Sequence, residues 1–458
     1  MTVGARVLLT LACLAGAGRT AWAQQPAADL DPQVVRLVGE VSEQRLGASL
    51  KKLESFGTRN TMSTADSPTR GIGAARQWIF DELQHYSPRL EVSFDTYRIA
   101  KQGRITRDVE ARNVMAVLRG RSLRRVYVSG HYDSVAIAGG QSERNGGNTQ
   151  PVTFADPDST APGVNDDGSG VALTMELARV FAQSGIEFDA TLVFMCHVAE
   201  EQGLMGAKLH AQTAKAEHVQ IDAVLNNDIV GNDRGGNGIV DSGSVRVYSE
   251  GPEDSPSREL ARYVQRWGMR YVPSHGVRLL SRPDRFSRSG DHTAYNQYGF
   301  AAVGFRESRE NFSRQHDPRD TLEGVSVPYL AQNARVNAAV AAMIALAPQA
   351  PVVVTEKGQP TINRAPSGYD AHLQWKPSPG ASSYRVFWRE AWGPDWQHEM
   401  AVGNTTEVTL PNTLIDDLVF GVAAVDAVGH ESVVTPYIAP RSTAVDDRDV
   451  KIVPADAR

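Results

Sequence analysis

The chain has 458 residues with an ordinary globular composition, enough for two or three domains and a large core. Its formal net charge is −6 and it contains no long basic block, so neither nucleic acid nor an anionic membrane surface is an expected partner.

In chain order, residues 1–23 have the layout of a secretory signal peptide. Arg6 supplies the positive start, Val7 to Gly18 a short apolar run, and Ala21-Trp22-Ala23 a small-x-small cleavage pattern. The run is too short to span a bilayer as a stable helix. An exported protein, periplasmic or secreted, is therefore expected, with no membrane insertion after signal cleavage. Cys13 leaves with that segment and Cys196 remains as a lone thiol, so no intramolecular disulfide is expected in the mature chain. Helical spacing of apolar residues recurs over 31–58 and over Gly71 to Tyr86, and strands are expected at Leu90 to Tyr97 and Asn113 to Leu118. Val126 to Val128 is a short strand leading to His131. A polar, glycine-rich loop follows from about Gly139 to Gly163, expected as a flap over a site.

Beyond it, helices (Val171 to Gln183, Leu204 to Ala216, Ser257 to Trp267, Val327 to Leu346) alternate with strands (Leu192 to Met195, Ala223 to Ile229, Val245 to Tyr248, Ala301 to Phe305). This alternation predicts an α/β fold, a mainly parallel sheet flanked by helices. From about Pro348 the period changes to two, with Pro, Gly, Ser and Asn turns, predicting a small all-β sandwich. The expected division is a signal peptide at 1–23, an α/β domain at 24–347, a β-sandwich at 348–440 and a mobile tail at 441–458.

The chemistry concentrates where apolar strand-like runs end in acids or histidines. Leu192 to Met195 runs on into Glu200-Glu201 and then Gly203 and Gly206. Two adjacent carboxylates repel, and one is driven towards neutrality unless a cation is near. Parallel sheets bind ligands outside the carboxyl ends of their strands, which would gather His131, Asp166, Glu201, Asp228 and His316 at one place. Imidazole and carboxylate donors suit zinc, and two metals can polarise a carbonyl and activate water. Glu200 is the acid left to move protons, and Asp133, two residues after His131, is placed to hold the ring's second nitrogen.

The motifs His131-x-Asp133, Ala161-Pro162-Gly163-Val164-Asn165-Asp166-Asp167-Gly168-Ser169-Gly170, Glu200-Glu201-Gln202-Gly203-Leu204-Met205-Gly206, Asn227-Asp228-Ile229-Val230-Gly231 and His316-x-Pro318-x-Asp320-Thr321 occur in that order. In them the chain resembles the M28 family of co-catalytic zinc metallopeptidases, over roughly residues 35–347. The resemblance implies a zinc exopeptidase fold, two zinc ions per chain and cleavage of N-terminal residues from peptides or proteins by a zinc-bound hydroxide. It implies Asp166 as bridging ligand, His131 and Asp228 on one zinc, Glu201 and His316 on the other, Glu200 as general base and Asp133 as partner of His131. A cis peptide between Asp166 and Asp167 is also expected. Where many relatives have Tyr before the last histidine this chain has Gln315, and where they read Ser-Asp-His it reads Gly290-Asp291-His292. His292 and His197 are expected to be structural. Other readings are a carboxypeptidase or glutaminyl cyclase on the same fold, or an inactive binding scaffold.

Residues Trp375, Tyr384, Val422 to Asp426, Gly429 and Ser432 give the C-terminal part a resemblance to a fibronectin type III domain. Trp392 and Trp396 could contact a sugar polymer or a protein surface, but core or edge packing is the commoner role of single tryptophans in a small sandwich and is the expected one here.

Overall fold

The computed structural model describes residues 30–138 and 153–438. The expected signal peptide, Cys13, residues 139–152 of the glycine-rich loop and the tail lie outside those residues.

Helix α1 (Pro32–Gly39) starts where Asp31 accepts the backbone N–H groups of Gln33 and Val34, and α2 (Glu43–Glu54) starts at a Ser42 cap. Helix α3 spans Gly71–Tyr86. Then follow β1 (Leu90–Ile99), β2 (Val109–Leu118), β3 (Arg125–His131), α4 (Gly168–Gln183), β4 (Thr191–His197), α5 (Met205–Ala216), β5 (Ile221–Asn227), β6 (Ser244–Tyr248), α6 (Pro256–Tyr271), β7 (Gly276–Leu280), α7 (Asp291–Gln297), β8 (Ala302–Glu307) and α8 (Val327–Leu346). The strands form one eight-stranded sheet in the order β1-β2-β4-β3-β5-β8-β6-β7. The central block β4-β3-β5-β8 is parallel throughout, while β1, β2 and β6 join antiparallel to their inner neighbours.

Alternation along each strand fills a core on either face. Val126, Val128, Leu192, Phe194, Leu225 and Phe305 point to one side, against α2, α4, α6 and α8. Tyr127, Val193, Met195, Val224 and Ala302 point to the other, against α5 and α7. Both faces are thus covered, as a parallel sheet requires. Strand β7 and helix α7 were not legible in the sequence. The first is a five-residue edge strand carrying a central arginine, and the second is seven residues with no side-chain cap. Neither is long enough to show a period.

The C-terminal part contains β9 (Ile362–Asn363), β10 (Ala371–Gln374), β11 (Ser383–Glu390), β12 (His398–Gly403), β13 (Glu407–Leu410), β14 (Leu418–Val425) and β15 (Thr435–Pro436). They make two sheets, β13-β10-β9 and β12-β11-β14-β15, closed over a core that includes Trp375, Tyr384, Val386, Phe420 and Val422. This unit docks on α6: Tyr263 donates to the carbonyl of Glu431 at 2.7 Å, Trp396 Nε1 donates to Glu259 at 3.0 Å, and Arg266 pairs with Glu399 at 2.6 Å. Trp396 is therefore engaged within the molecule and is not a free aromatic contact. Trp392, 72 % exposed, stays available.

Phe194 has no solvent exposure and meets the edge of Phe181 in the larger core. Phe194→Ala is expected to cost about 3–5 kcal/mol of stability, read from the shift in chemical denaturation midpoint. A shift equivalent to less than about 1 kcal/mol would mean that this core is not packed as described.

Candidate metal centre

The site residues lie at the carboxyl ends of the central strands. His131 is the last residue of β3, Asp228 directly follows β5, the acid pair follows β4, and His316 lies beyond β8. Between β3 and α4 the chain turns through Asp166 and Asp167, whose connecting peptide is cis. Asp167 caps α4 through Gly170 N–H (2.8 Å) and also accepts the N–H groups of His131 (3.0 Å) and Ile229 (3.2 Å). A Cβ on Gly170 would stand 2.1 Å from the carbonyl oxygen of Asn227, so only glycine lets α4 start this close to β5. Asp320 accepts the N–H groups of Asn165 (3.0 Å) and Asp166 (2.9 Å). Arg59, fully buried, donates to the carbonyls of Tyr132, Pro162 and Gly163 and so ties the exit of β3 to the approach to Asp166.

The β4–α5 turn is equally constrained. Ala199 and Leu204 adopt left-handed conformations (φ 59° and 62°), as do Ile229 and His316 (55° and 53°). Such non-glycine residues cost about 1–3 kcal/mol each and gather at functional sites. Gly206 sits where a Cβ would be 2.3 Å from the Val198 carbonyl oxygen.

Three overlapping groups of donor atoms result, His131–Asp166–Asp228, Asp166–Glu201–His316 and His131–Glu200–Glu201, and the first two share Asp166. His131 Nε2 lies 3.4 Å from Asp166 Oδ1 and 3.7 Å from Asp228 Oδ1. His316 Nε2 lies 3.1 Å from Asp166 Oδ2 and 3.0 Å from Glu201 Oε1. His131 Nε2, Asp166 Oδ2, Glu201 Oε1 and Asp228 Oδ1 are buried and have no hydrogen-bond partner. Buried polar atoms left unpaired are costly, and four converging on two shared positions fit a pair of metal ions.

Glu200, with an 11 % exposed side chain, reaches 3.9 Å from His131 Nε2 and belongs to neither group that shares Asp166. Burial, reinforced by Glu201, Asp228 and Asp291 against the pull of His131, raises its carboxyl well above the usual range. Asp133 differs from expectation. Strand β3 stops at His131, so Asp133 is not on a continuing strand, and it meets His131 Nδ1 chiefly through its backbone carbonyl (3.1 Å) rather than its carboxylate (3.6 Å). The carboxylate instead accepts the N–H groups of Glu200 (3.1 Å) and Glu201 (3.2 Å), holding the acid pair in place. His197 is buried against Tyr295 (3.2 Å) and His292 against the carbonyl of Pro283 (2.7 Å), both outside the metal groups.

Sequence reasoning missed Arg59, Asp320 and Arg306. Arg306 is fully buried and pairs with Asp228 Oδ2 and, at 2.9 Å, with Asp284. Asp320 lay within a recognised motif, whereas nothing local to Arg59 or Arg306 marked them.

The sequence profile of peptidase family M28 matches residues 113–341. A probable zinc metalloprotease of Pyricularia oryzae is 36 % identical, over 91 % of this chain and 86 % of its own length. The chain belongs to peptidase family M28. A second relative, a probable zinc metalloprotease of Leptosphaeria maculans, is 35 % identical over 90 % of this chain and 97 % of its own length. Among solved structures, Legionella pneumophila LapA is similar with a TM-score of 0.54 and 19 % identity, covering 70 % of this chain and 77 % of LapA. A likeness at that identity speaks for the fold, here the M28 α/β fold with its large, mostly parallel sheet.

In this M28 chain the acids of the centre favour the protonated form of His316. Burial opposes the His316 imidazolium, but Glu201 and Asp166 overcome it and raise its pKa to about 9. The folded value lies above the unfolded one of about 6.5, so this stability is fully present below pH ~6.5 and is lost as pH rises through about 9. A metal bound through His316 Nε2 would have to displace that proton. Metal affinity, measured by competition with a chromogenic chelator, is expected to fall by up to about tenfold per pH unit from pH ~8 to ~6 for each proton displaced. Affinity constant across that window would show that no such exchange occurs.

Proposed function

We propose that this M28 peptidase is a zinc-dependent aminopeptidase that binds two zinc ions per chain. The observation that carries the reading is the pair of donor groups sharing Asp166, with Glu200 beside them and off both. His131, Asp166 and Asp228 would hold one ion, and Asp166, Glu201 and His316 the other. When bound, zinc there supplies positive charge that polarises the scissile carbonyl and acidifies a water.

The protein's own groups do the rest. Glu200 takes the proton of the attacking water and returns it to the departing amine, a role suited to a carboxyl whose basicity burial has raised. Asp133 holds Glu200 and Glu201 by their backbone N–H groups, so the base and a metal ligand keep a fixed separation. Preference for a free amino terminus is supported by the buried Asp291, whose two carboxyl oxygens both lack a hydrogen-bond partner and could accept from an amino group. The secretory pattern of residues 1–23 supports action on peptides outside the cytoplasm.

One peptide offered with a free and with an acetylated amino terminus, with and without a zinc chelator, tests the assignment by mass spectrometry. Stepwise loss from the free form alone, abolished by chelation, is the expected result; internal cleavage of both forms would point to an endopeptidase. Glu200→Gln is expected to lower kcat by about 10²–10⁴-fold with zinc content unchanged. Turnover within about twofold of wild type would remove Glu200 from proton transfer.

A further inference from the structure

We propose that Arg288 binds a carboxylate of the substrate through the Nε–Nη2 edge of its guanidinium, which makes short peptides with a carboxylate close to the scissile bond the preferred substrates. The proposal rests on the exopeptidase reading above and deepens it by naming a substrate class.

Arg288 stands in the loop between β7 and α7. Its recorded partners all lie on Nη1, which donates to Gln315 Oε1 at 2.7 Å and faces Glu310 Oε2 at 3.3 Å. Gln315 is buried, donates its own amide to Glu310 at 3.1 Å, and immediately precedes the metal-site residue His316. The arginine is therefore anchored one residue from the centre. Its charge and that of Asp166 act on each other.

The surrounding ion pairs leave one cation over. Glu310 is held by Arg246 (2.6 Å), Arg285 (3.0 Å) and Arg288. Asp284 is shared by Arg285 (3.0 Å) and Arg306 (2.9 Å), and Asp228 is paired with Arg306. Among the described residues, four arginines thus face three carboxylates in this set of ion pairs. Arg306 is sealed in the core and Arg285 is nearly so, while the Arg288 side chain is 23 % exposed. The unmatched charge belongs to the guanidinium with an open edge. With Nη1 taken, Nε and Nη2 remain as two parallel donors, the geometry that receives both oxygens of a carboxylate. Gln315 occupies the position before His316 and holds the arginine in that pose.

The test compares matched peptides carrying the first residue that the enzyme removes best. One pair is a dipeptide as free acid and as amide. A second is an amidated dipeptide with Asp or Asn at either position. These arms separate a terminal carboxylate from an acidic side chain. Wild type is expected to favour the acid of at least one pair by about tenfold or more in kcat/KM. Arg288→Ala and Arg288→Gln are each expected to bring that ratio close to one. Both variants leave Glu310 paired with Arg246, Arg285 and Gln315, so melting temperature and zinc content should hold. Equal use of acid and amide by wild type in every pair, or an unchanged ratio in both variants, overturns the proposal. If no free-amine peptide is cut at all, the exopeptidase reading fails instead. Calorimetric binding of the same pairs to zinc-loaded Glu200→Gln, with and without Arg288→Ala, then decides on Arg288 alone. Tighter binding of the acid that disappears with Arg288 supports it, and equal binding overturns it.

Discussion

The geometry of the centre depends on one buried carboxylate, that of Asp167. It accepts N–H groups from His131, Gly170 and Ile229, which belong to the end of β3, the first turn of α4 and the segment leaving β5. Of the expected metal-binding residues, His131 is itself one of these donors, Asp228 directly precedes another, and Asp166 directly precedes Asp167. One carboxyl group with three backbone donors both caps a helix and staples two strand ends. Burial raises its pKa well above the usual range, and the His131 and Gly170 N–H groups offset part of that cost. Gly170 follows from the same constraint, since any side chain there would strike the Asn227 carbonyl and push the helix start off β5.

Behind the ligands sits a layer of buried cations. Arg306 pairs with Asp228 and Asp284 in the core, and Arg59 lies within the field of Asp320, Asp133, Asp167 and Asp166. Burial lowers the Arg59 pKa to about 10 despite these acids, so it still carries its charge at neutral pH. The charges of the two arginines offset part of the repulsion among the clustered acids. Arg306 also fixes Asp228, because it engages one oxygen and only Oδ1 is left facing His131.

Much of this was legible in the sequence, for a physical reason. In a parallel sheet the chain reverses at each strand end, so residues far apart in sequence return to one edge, and a strand-like run ending in His, Asp or Glu marks that edge. His131, Asp166, Glu201, Asp228 and His316 were found that way and meet in space. The supports were not. Arg59 acts through backbone carbonyls, which any sequence supplies, and Arg306 follows the apolar run of its strand next to a second charged residue, Glu307, with nothing to single it out. Asp133 shows the finer limit. The alternation rule assumed that β3 continued, but the strand stops at His131 and the carboxylate turned to the Glu200 and Glu201 amides. Trp396 shows the same limit at a surface, because its aromatic side chain had a partner on another domain, Glu259.

That interface gives the β-sandwich a structural part in the whole. Helix α6 presents Glu259, Tyr263 and Arg266 to the sandwich, and its other residues pack on β7, β8 and α8. Strand β8 carries Arg306, and the loop after β7 carries Arg288. At the far side His430 stands between Asp426 (2.7 Å) and Asp31 (2.8 Å), and Asp31 is the residue that caps α1. The contacts between the units are thus directional pairs of charged and polar groups rather than a plain apolar patch. Such pairs define position more tightly than apolar contact does, which suits a second domain that braces the helix beneath the site's arginine-bearing edge.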